Sequence, residues 1–160
     1  MTHKDKNDYL INLGIDRNYI EEIKNKFYKM AKQKNPSNPT PDYKMCRYGA
    51  LFLAEALKEK TNDLWHVEGG STWPPFYKTG GFKTKKGEWK GHYWATNGTI
   101  IIDIAAKQFG EEEVIITDKK DSRYEENYTK KELNRDLYFV KDTIKEWKKE
   151  THKKKNRLKK

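Results

Sequence analysis

The chain has 160 residues, 34% of them hydrophobic and 36% charged, which fits one domain with a modest core. No apolar run approaches membrane-spanning length and residues 1–8 are mostly polar and charged, so we expect a cytoplasmic protein that does not associate with membranes. The net charge is +10, and residues 141–160 hold ten Lys or Arg against three Asp or Glu, so most of the excess lies at the C-terminal end.

The first part of the chain is predicted to be helical. Residues 16–33 carry apolar side chains at helical spacing, and Asp16 stands where an N-cap is expected. The Pro-rich segment 35–41 ends this pattern. The next helix is predicted to begin near Cys46 and to run to about Lys60.

The second part is predicted to be mainly strands, followed by a helix. Strands are expected over 64–67, on both sides of Asn97-Gly98, and over 114–117. We expect one α+β domain over residues 1–150 and a basic C-terminal tail over 151–160. A capping box from Thr129 to Glu132 opens one last helix, whose apolar stripe is Leu133, Leu137, Val140, Ile144 and Trp147.

The dipeptide Asn97-Gly98 predicts a β-hairpin, because a two-residue type I′ turn needs positive φ at both positions. Counting outward from that loop, His92 lies opposite Asp103. Opposed side chains share a face, with Cβ atoms about 4.5–5.5 Å apart. A carboxylate at this distance can accept the ring N–H of His92 and stabilise its imidazolium. The alternative is a surface polar pair without a further partner. The opposite face, a core face, would present Tyr93, Ala95, Ile100, Ile102 and Ile104.

Cys46 is the only cysteine, so the chain cannot form an intrachain disulfide. It follows the Pro-rich segment at the start of a predicted helix, where unpaired amides and the helix dipole favour a thiolate. A backbone N–H at that end can also stabilise an oxyanion. The alternative is a cysteine that only packs in the core, which is the commonest environment of a free cysteine. Such a residue would be expected in the middle of a helix and not at its start.

Short motifs around these residues occur in an order that carries a family resemblance. Cys46-Arg-Tyr-Gly-Ala50 opens a helix, Val67-Glu68-Gly69 follows it, and His92-Tyr93-Trp94 precedes a strand that ends in Asp103. After small residues comes Gln108-Phe109. This arrangement, over residues 42–110, resembles the transglutaminase-like branch of the papain-like cysteine enzymes.

The resemblance implies a papain-like fold, with the nucleophile helix packed on a small antiparallel sheet, and a Cys46–His92–Asp103 triad. His92 would take the thiol proton, or the two residues would rest as an ion pair. The thiolate would attack a carbonyl to form a thioester, and Asp103 would orient His92. The substrate would be a protein, a peptide or a small amide. Water as acceptor gives proteolysis, amide hydrolysis or deamidation, and an amine gives transamidation. The sequence leaves this choice open.

The resemblance also exposes a gap in the expected oxyanion hole. Papain-type enzymes often carry a Gln before the cysteine, and residues 39–45 contain none. The second oxyanion donor is therefore unassigned, with Tyr43 as a candidate.

Residues 69–91 form a long segment rich in Gly, Pro and aromatic residues, and loops of this length are often functional. Its rings would either line a substrate cleft or pack beneath the loop. We assign to substrate binding the aromatic residues Tyr43, Trp73, Phe76, Tyr77 and Trp94.

Metal binding and non-catalytic binding are the two other possible functions. A metal site could be built from residue types such as those of Cys46, His66, His92 and Asp103. No pair among them shows a usual ligand spacing, so we expect no metal ion and no cofactor. The alternative function is a non-catalytic module that binds nucleic acid or a protein partner through the basic tail and the aromatic loop. Any contact of the tail with nucleic acid would be weak, and a solvated chain end is the simpler interpretation.

Overall fold

A computed structural model describes residues 1–73 and 77–158, with side chains up to Thr151. Over these residues the fold is α+β. None of the described helices is both long enough and apolar enough to cross a membrane. The helices are α1 (His3–Asn12), α2 (Arg17–Lys34), α3 (Cys46–Thr61), α4 (Lys130–Tyr138) and α5 (Lys141–Leu158), with a 3₁₀ turn over Lys107–Phe109.

The strands of the described residues form two small antiparallel sheets. The larger sheet has the order β1-β4-β5-β6 and the smaller one β3-β2-β7. The strands are β1 (His66–Gly70), β2 (Gly81–Lys83), β3 (Trp89–Lys90), β4 (His92–Thr96), β5 (Ile100–Asp103), β6 (Ile115–Asp118) and β7 (Tyr124–Glu125).

Two of the predicted helices form close to their expected limits. The Asp16 carboxylate caps α2 by accepting the N–H of Tyr19 at 2.7 Å. Helix α3 begins at Cys46 as predicted, and it makes its most extensive contacts with β4 and β1 of the larger sheet. This packing places the N-terminal end of α3, and with it Cys46, against the sheet that carries His92.

Two predicted boundaries were wrong. The strand expected over 64–67 begins only at His66, because Leu64 lies 77% exposed in the connection after α3. The single last helix is divided into α4 and α5, since the chain turns tightly where the N–H of Val140 donates to the carbonyl of Leu137. The Thr129–Glu132 capping box forms as predicted. Helix α5 continues without a break through residues 150 and 151, where the basic tail was expected to begin.

The β4–β5 hairpin has a longer loop than the predicted two-residue turn. Thr96 pairs with Ile101 instead of Thr99, a shift of two residues. Of the two turn residues only Gly98 has positive φ, at 94°, because the Asn97 side chain closes the turn in another way. Its Oδ1 accepts the backbone N–H groups of Thr99 and Ile100, both at 3.0 Å. Since the shift is even, every strand residue stays on its predicted face.

Both faces of the larger sheet are buried. The face predicted to be a core face packs against the helices through Tyr93, Ala95, Ile100, Ile102 and Ile104. The other face, which carries His92 and Asp103, is covered by a second cluster that includes residues of the smaller sheet. The buried members of this second cluster are Phe82, Trp94, Ile101, Ala106, Ile115 and Tyr124.

Candidate active site

His92 and Asp103 form a buried pair on the larger sheet. Nε2 of His92 lies 2.8 Å from Oδ2 of Asp103, and the two side chains are 0% and 1% exposed. The shifted register makes them diagonal neighbours instead of opposed residues. Diagonal positions are about 7–8 Å apart, which an imidazole and a carboxylate can bridge. The predicted contact is present, although the predicted pairing that led to it was wrong.

The Asp103 carboxylate accepts two further hydrogen bonds. Its Oδ2 also accepts the hydroxyl of Tyr124 at 2.8 Å, and its Oδ1 accepts the backbone N–H of Ala105 at 2.9 Å. Burial, and then the Asp103 charge, raise the pKa of Tyr124 well above its ordinary value, so the phenol remains a neutral donor. Sequence analysis missed Tyr124, because it lies on a two-residue strand that has no periodic pattern.

Aromatic rings surround the imidazole of His92. The ring centres of Phe109 and Phe82 lie 5.0 and 5.7 Å from it, in edge-on arrangements. Trp94, predicted to contact substrate, has its ring centre 6.2 Å away and is only 1% exposed. Trp94 thus lies in the core beside His92 instead of on an open cleft wall. These rings exclude water from the His92–Asp103 hydrogen bond, which strengthens it.

Cys46 occupies the first position of α3 and is partly exposed. The residue before it, Met45, is the N-cap and provides no side-chain hydrogen bond to the helix. The amides of the first turn are therefore not taken by a capping side chain. Such amides, together with the positive end of the helix dipole, form a site for an anion.

The second ring nitrogen of His92 is not used by Asp103. Nδ1 of His92 is buried and has no hydrogen-bond partner with good geometry among the described residues. Burial lowers the pKa of His92, but the charge and hydrogen bond of Asp103, together with the Cys46 side chain, outweigh it and raise the pKa to about 10. Because Nε2 is bound to Asp103, an interaction with Cys46 has to use Nδ1. The structure thus brings all three predicted triad residues together.

The predicted aromatic wall is only partly within the described residues. Trp73 is 78% exposed and Tyr77 is 48% exposed, whereas Phe76 lies outside the described residues. Tyr43, the candidate oxyanion donor, is 38% exposed on the loop just before α3. Trp73 and Tyr77 line an open cleft of about 740 Å³ together with Ser71, Thr72, Gly91, Tyr128, Glu132, Arg135 and Asp136.

Residues next to His92 and Cys46 in the chain contact this cleft. Gly91 on its wall directly precedes His92. Arg47 directly follows Cys46, and its Nη1 donates to the backbone carbonyl of Asp136, also on the wall, at 3.4 Å. Cys46, His92 and Asp103 are not themselves among the residues that line the cleft.

His66, whose residue type suits a metal ligand, lies apart from this site on the edge strand β1. Its side chain is 51% exposed, and its ring nitrogens contact the Leu64 carbonyl and the Glu68 carboxylate. Among the residues that the structure describes, no three His, Cys, Asp or Glu side chains are grouped as a metal site requires.

The arrangement can perform thiol chemistry. A partly exposed cysteine stands at an uncapped helix start, and its side chain contributes to the raised pKa of a buried imidazole that is bound to a carboxylate. Comparison of the chain with family models, with curated proteins and with solved structures finds no match.

Proposed function

We propose that the chain is a cysteine-dependent acyl-transfer enzyme with a papain-like, transglutaminase-like fold, in which Cys46 is the nucleophile, His92 the base and Asp103 the residue that orients the base. One observation carries the proposal. The buried hydrogen bond between His92 and Asp103 leaves the second ring nitrogen of His92 free, and Cys46 is close enough to His92 to contribute to its raised pKa. A surface polar pair would not explain this arrangement.

The reaction begins from an ion pair, in which the proton of Cys46 is held on Nδ1 of His92, because the pKa of His92 is raised to about 10. The resulting thiolate attacks the substrate carbonyl, and a tetrahedral oxyanion forms next to the amides of the first turn of α3. The imidazolium then returns the proton to the leaving group as the C–N bond breaks, which gives a thioester on Cys46. The raised pKa of His92 supports its role as proton carrier, since Asp103 stabilises the imidazolium that later gives its proton to the leaving group.

The second half of the reaction depends on the acceptor. Water hydrolyses the thioester and gives an acid, as in a protease, amidase or deamidase. A primary amine gives a new amide, as in a transglutaminase. The open cleft lined by Trp73 and Tyr77 bears the exposed rings of these two residues, which suits a peptide or an amide side chain.

The chain offers a direct test because Cys46 is its only thiol. The rate of alkylation by iodoacetamide at pH 7, followed by mass spectrometry, reports the reactivity of that residue alone. We expect His92→Gln to lower this rate about tenfold or more, because the thiolate loses its imidazolium partner. His66→Gln is the matched control, as it removes an exposed imidazole on the same sheet.

Equal alkylation rates in the wild type, His92→Gln and His66→Gln would contradict the proposal, provided that circular dichroism shows all three to be folded. That result would favour the non-catalytic binding module. Turnover is tested with p-nitrophenyl acetate. We expect a burst of p-nitrophenolate and an acetyl group on Cys46, and neither in Cys46→Ala.

The acceptor is then identified by adding a primary amine, such as methylamine, to the acetylated enzyme. Release of acetate alone indicates a hydrolase, and formation of N-methylacetamide indicates a transferase.

A further inference from the structure

The loop before Cys46, residues 42–45, is held by a residue from the other side of the site. We call this segment the nucleophile loop. Gln108 lies on the 3₁₀ turn after β5, and its Oε1 accepts the backbone N–H of Lys44 at 3.0 Å. Its own backbone N–H donates to Oδ2 of Asp42 at 2.8 Å, and the Asp42 side chain is fully buried. Two hydrogen bonds thus join this turn to the nucleophile loop.

The same side chain also reaches the loop that holds Asp103. Nε2 of Gln108 donates to the carbonyl of Ala105 at 2.8 Å. The N–H of Ala105 in turn donates to Oδ1 of Asp103 at 2.9 Å, and Oδ2 of Asp103 contacts His92. A continuous chain of hydrogen bonds therefore runs from the residue two before the nucleophile to the base.

The nucleophile loop has a backbone conformation that needs support. Lys44 has a φ of 55°, in the left-handed region that residues other than Gly and Asn seldom adopt. Its side chain is exposed, so the conformation is fixed by the backbone contact with Gln108 and by the burial of Asp42. Strained backbone that the surrounding structure holds in place is often found beside functional groups.

The next residue of the 3₁₀ turn contributes to the same arrangement. The ring of Phe109 packs edge-on against His92, with 5.0 Å between ring centres. The turn over Lys107–Phe109 thus contacts the nucleophile loop, the base and, through Ala105, the Asp103 loop.

From these contacts we propose that Gln108 is a positioning residue, which holds Lys44 in its left-handed conformation and so sets the thiol of Cys46 against His92. The proposal rests on the proposed function. Papain-type enzymes often carry a glutamine before the cysteine. Gln108 instead follows Asp103 in the chain, and it acts on the backbone of the nucleophile loop and not on the oxyanion.

The test uses the alkylation rate of Cys46 by iodoacetamide across pH 5–10 in the full chain. Gln108→Met keeps the length of the side chain but loses both of its hydrogen bonds. We expect the rate at pH 7 to fall about tenfold, since small displacements of a reacting group cost rate steeply. Gln33→Met, at an exposed position on α2, is the matched control and should behave as the wild type.

A second substitution separates positioning from general loosening of the fold. Glycine adopts the left-handed conformation without strain, so Lys44→Gly removes the need for the contact with Gln108. We expect Lys44→Gly to restore at least half of the lost rate in the Gln108→Met background, and to have little effect alone. Gln108→Glu keeps the acceptor for the Lys44 N–H. Its alkylation rate should lie between that of the wild type and that of Gln108→Met.

The outcomes distinguish this proposal from the one on which it rests. A wild-type rate that does not depend on His92 contradicts the proposed function, and the positioning role with it. A rate that depends on His92 but is unchanged in Gln108→Met overturns only the positioning role. A fall in rate that Lys44→Gly does not reverse also overturns it, because the loss would then not come from the conformation of Lys44.

Discussion

Nε2 of His92 contacts Oδ2 of Asp103 at 2.8 Å, across a hairpin in which the two residues are diagonal neighbours. The contact tolerates the two-residue shift in register because such a shift leaves both side chains on one face. It is completed by Tyr124, whose hydroxyl donates to the same carboxylate oxygen at 2.8 Å. The pair is therefore embedded in a buried network, and substitutions in that network should change thiol reactivity in predictable directions.

Asp103→Asn should abolish most of the reactivity while keeping the shape of the site. An amide can donate to Nε2 of His92, which would leave the proton on Nδ1, the nitrogen that has to accept the proton of Cys46. We expect the rate of acetylation by p-nitrophenyl acetate to fall about 10²- to 10⁴-fold. Asp142→Asn, at an exposed position on α5, should leave the rate unchanged. A similar loss in both variants would contradict the assignment.

The raised pKa of His92 predicts how stability depends on pH. The folded chain holds this proton up to about pH 10, whereas an unfolded imidazole releases it near pH 6.5. The native state thus binds more protons than the unfolded state between these values, so the contribution of His92 is complete below about pH 6.5 and is lost as pH rises towards 10. Urea unfolding at several pH values should show a steeper decline in the free energy of unfolding for the wild type than for His92→Gln. Parallel profiles would show that His92 does not hold a raised pKa.

Tyr124→Phe should destabilise the fold and weaken the site without removing any triad residue. It deletes one of the three hydrogen bonds that the Asp103 carboxylate accepts. Because the acceptor is charged and buried, the free energy of unfolding should fall by about 1.5–3 kcal/mol in urea titrations. Tyr138→Phe removes a hydroxyl from a residue that is 70% exposed and should have no measurable effect. Equal stability of the two variants would mean that the Tyr124 hydrogen bond makes no net contribution.

Gly49→Ala tests the packing that fixes α3, the helix that carries Cys46. A Cβ at position 49 would lie 2.8 Å from Cζ of the fully buried Phe27. The steric cost of about 1–3 kcal/mol should exceed the helix-propensity gain of about 1 kcal/mol, so the variant should be less stable. In a Phe27→Leu background the ring is gone and the same substitution should cost less. Additive effects in this double-mutant cycle would contradict the steric explanation.

Local sequence determined the elements of the site and the faces on which its residues lie. Asp16 and Thr129 mark helix starts through side-chain capping, and α3 begins at Cys46 after a Pro-rich segment that cannot continue a helix. Alternation along β4 and β5 placed His92 and Asp103 on one face. Such features depend on neighbouring residues, which is why the sequence reveals them.

The tertiary structure decided which distant groups complete the site. The hairpin register follows from the Asn97 side chain, whose oxygen accepts the turn amides. Its nitrogen also donates to Tyr9 and to Asp63, both at 3.0 Å. These distant contacts cannot be predicted from a local sequence pattern. Burial of both sheet faces, which removes Trp94 from the surface, depends on the smaller sheet. Tyr124 and Gln108 reach the site from segments without periodicity, through hydrogen bonds across 21 and 64 residues of chain. Sequence spacing thus determined the candidate triad, and only the three-dimensional packing decided what surrounds and holds it.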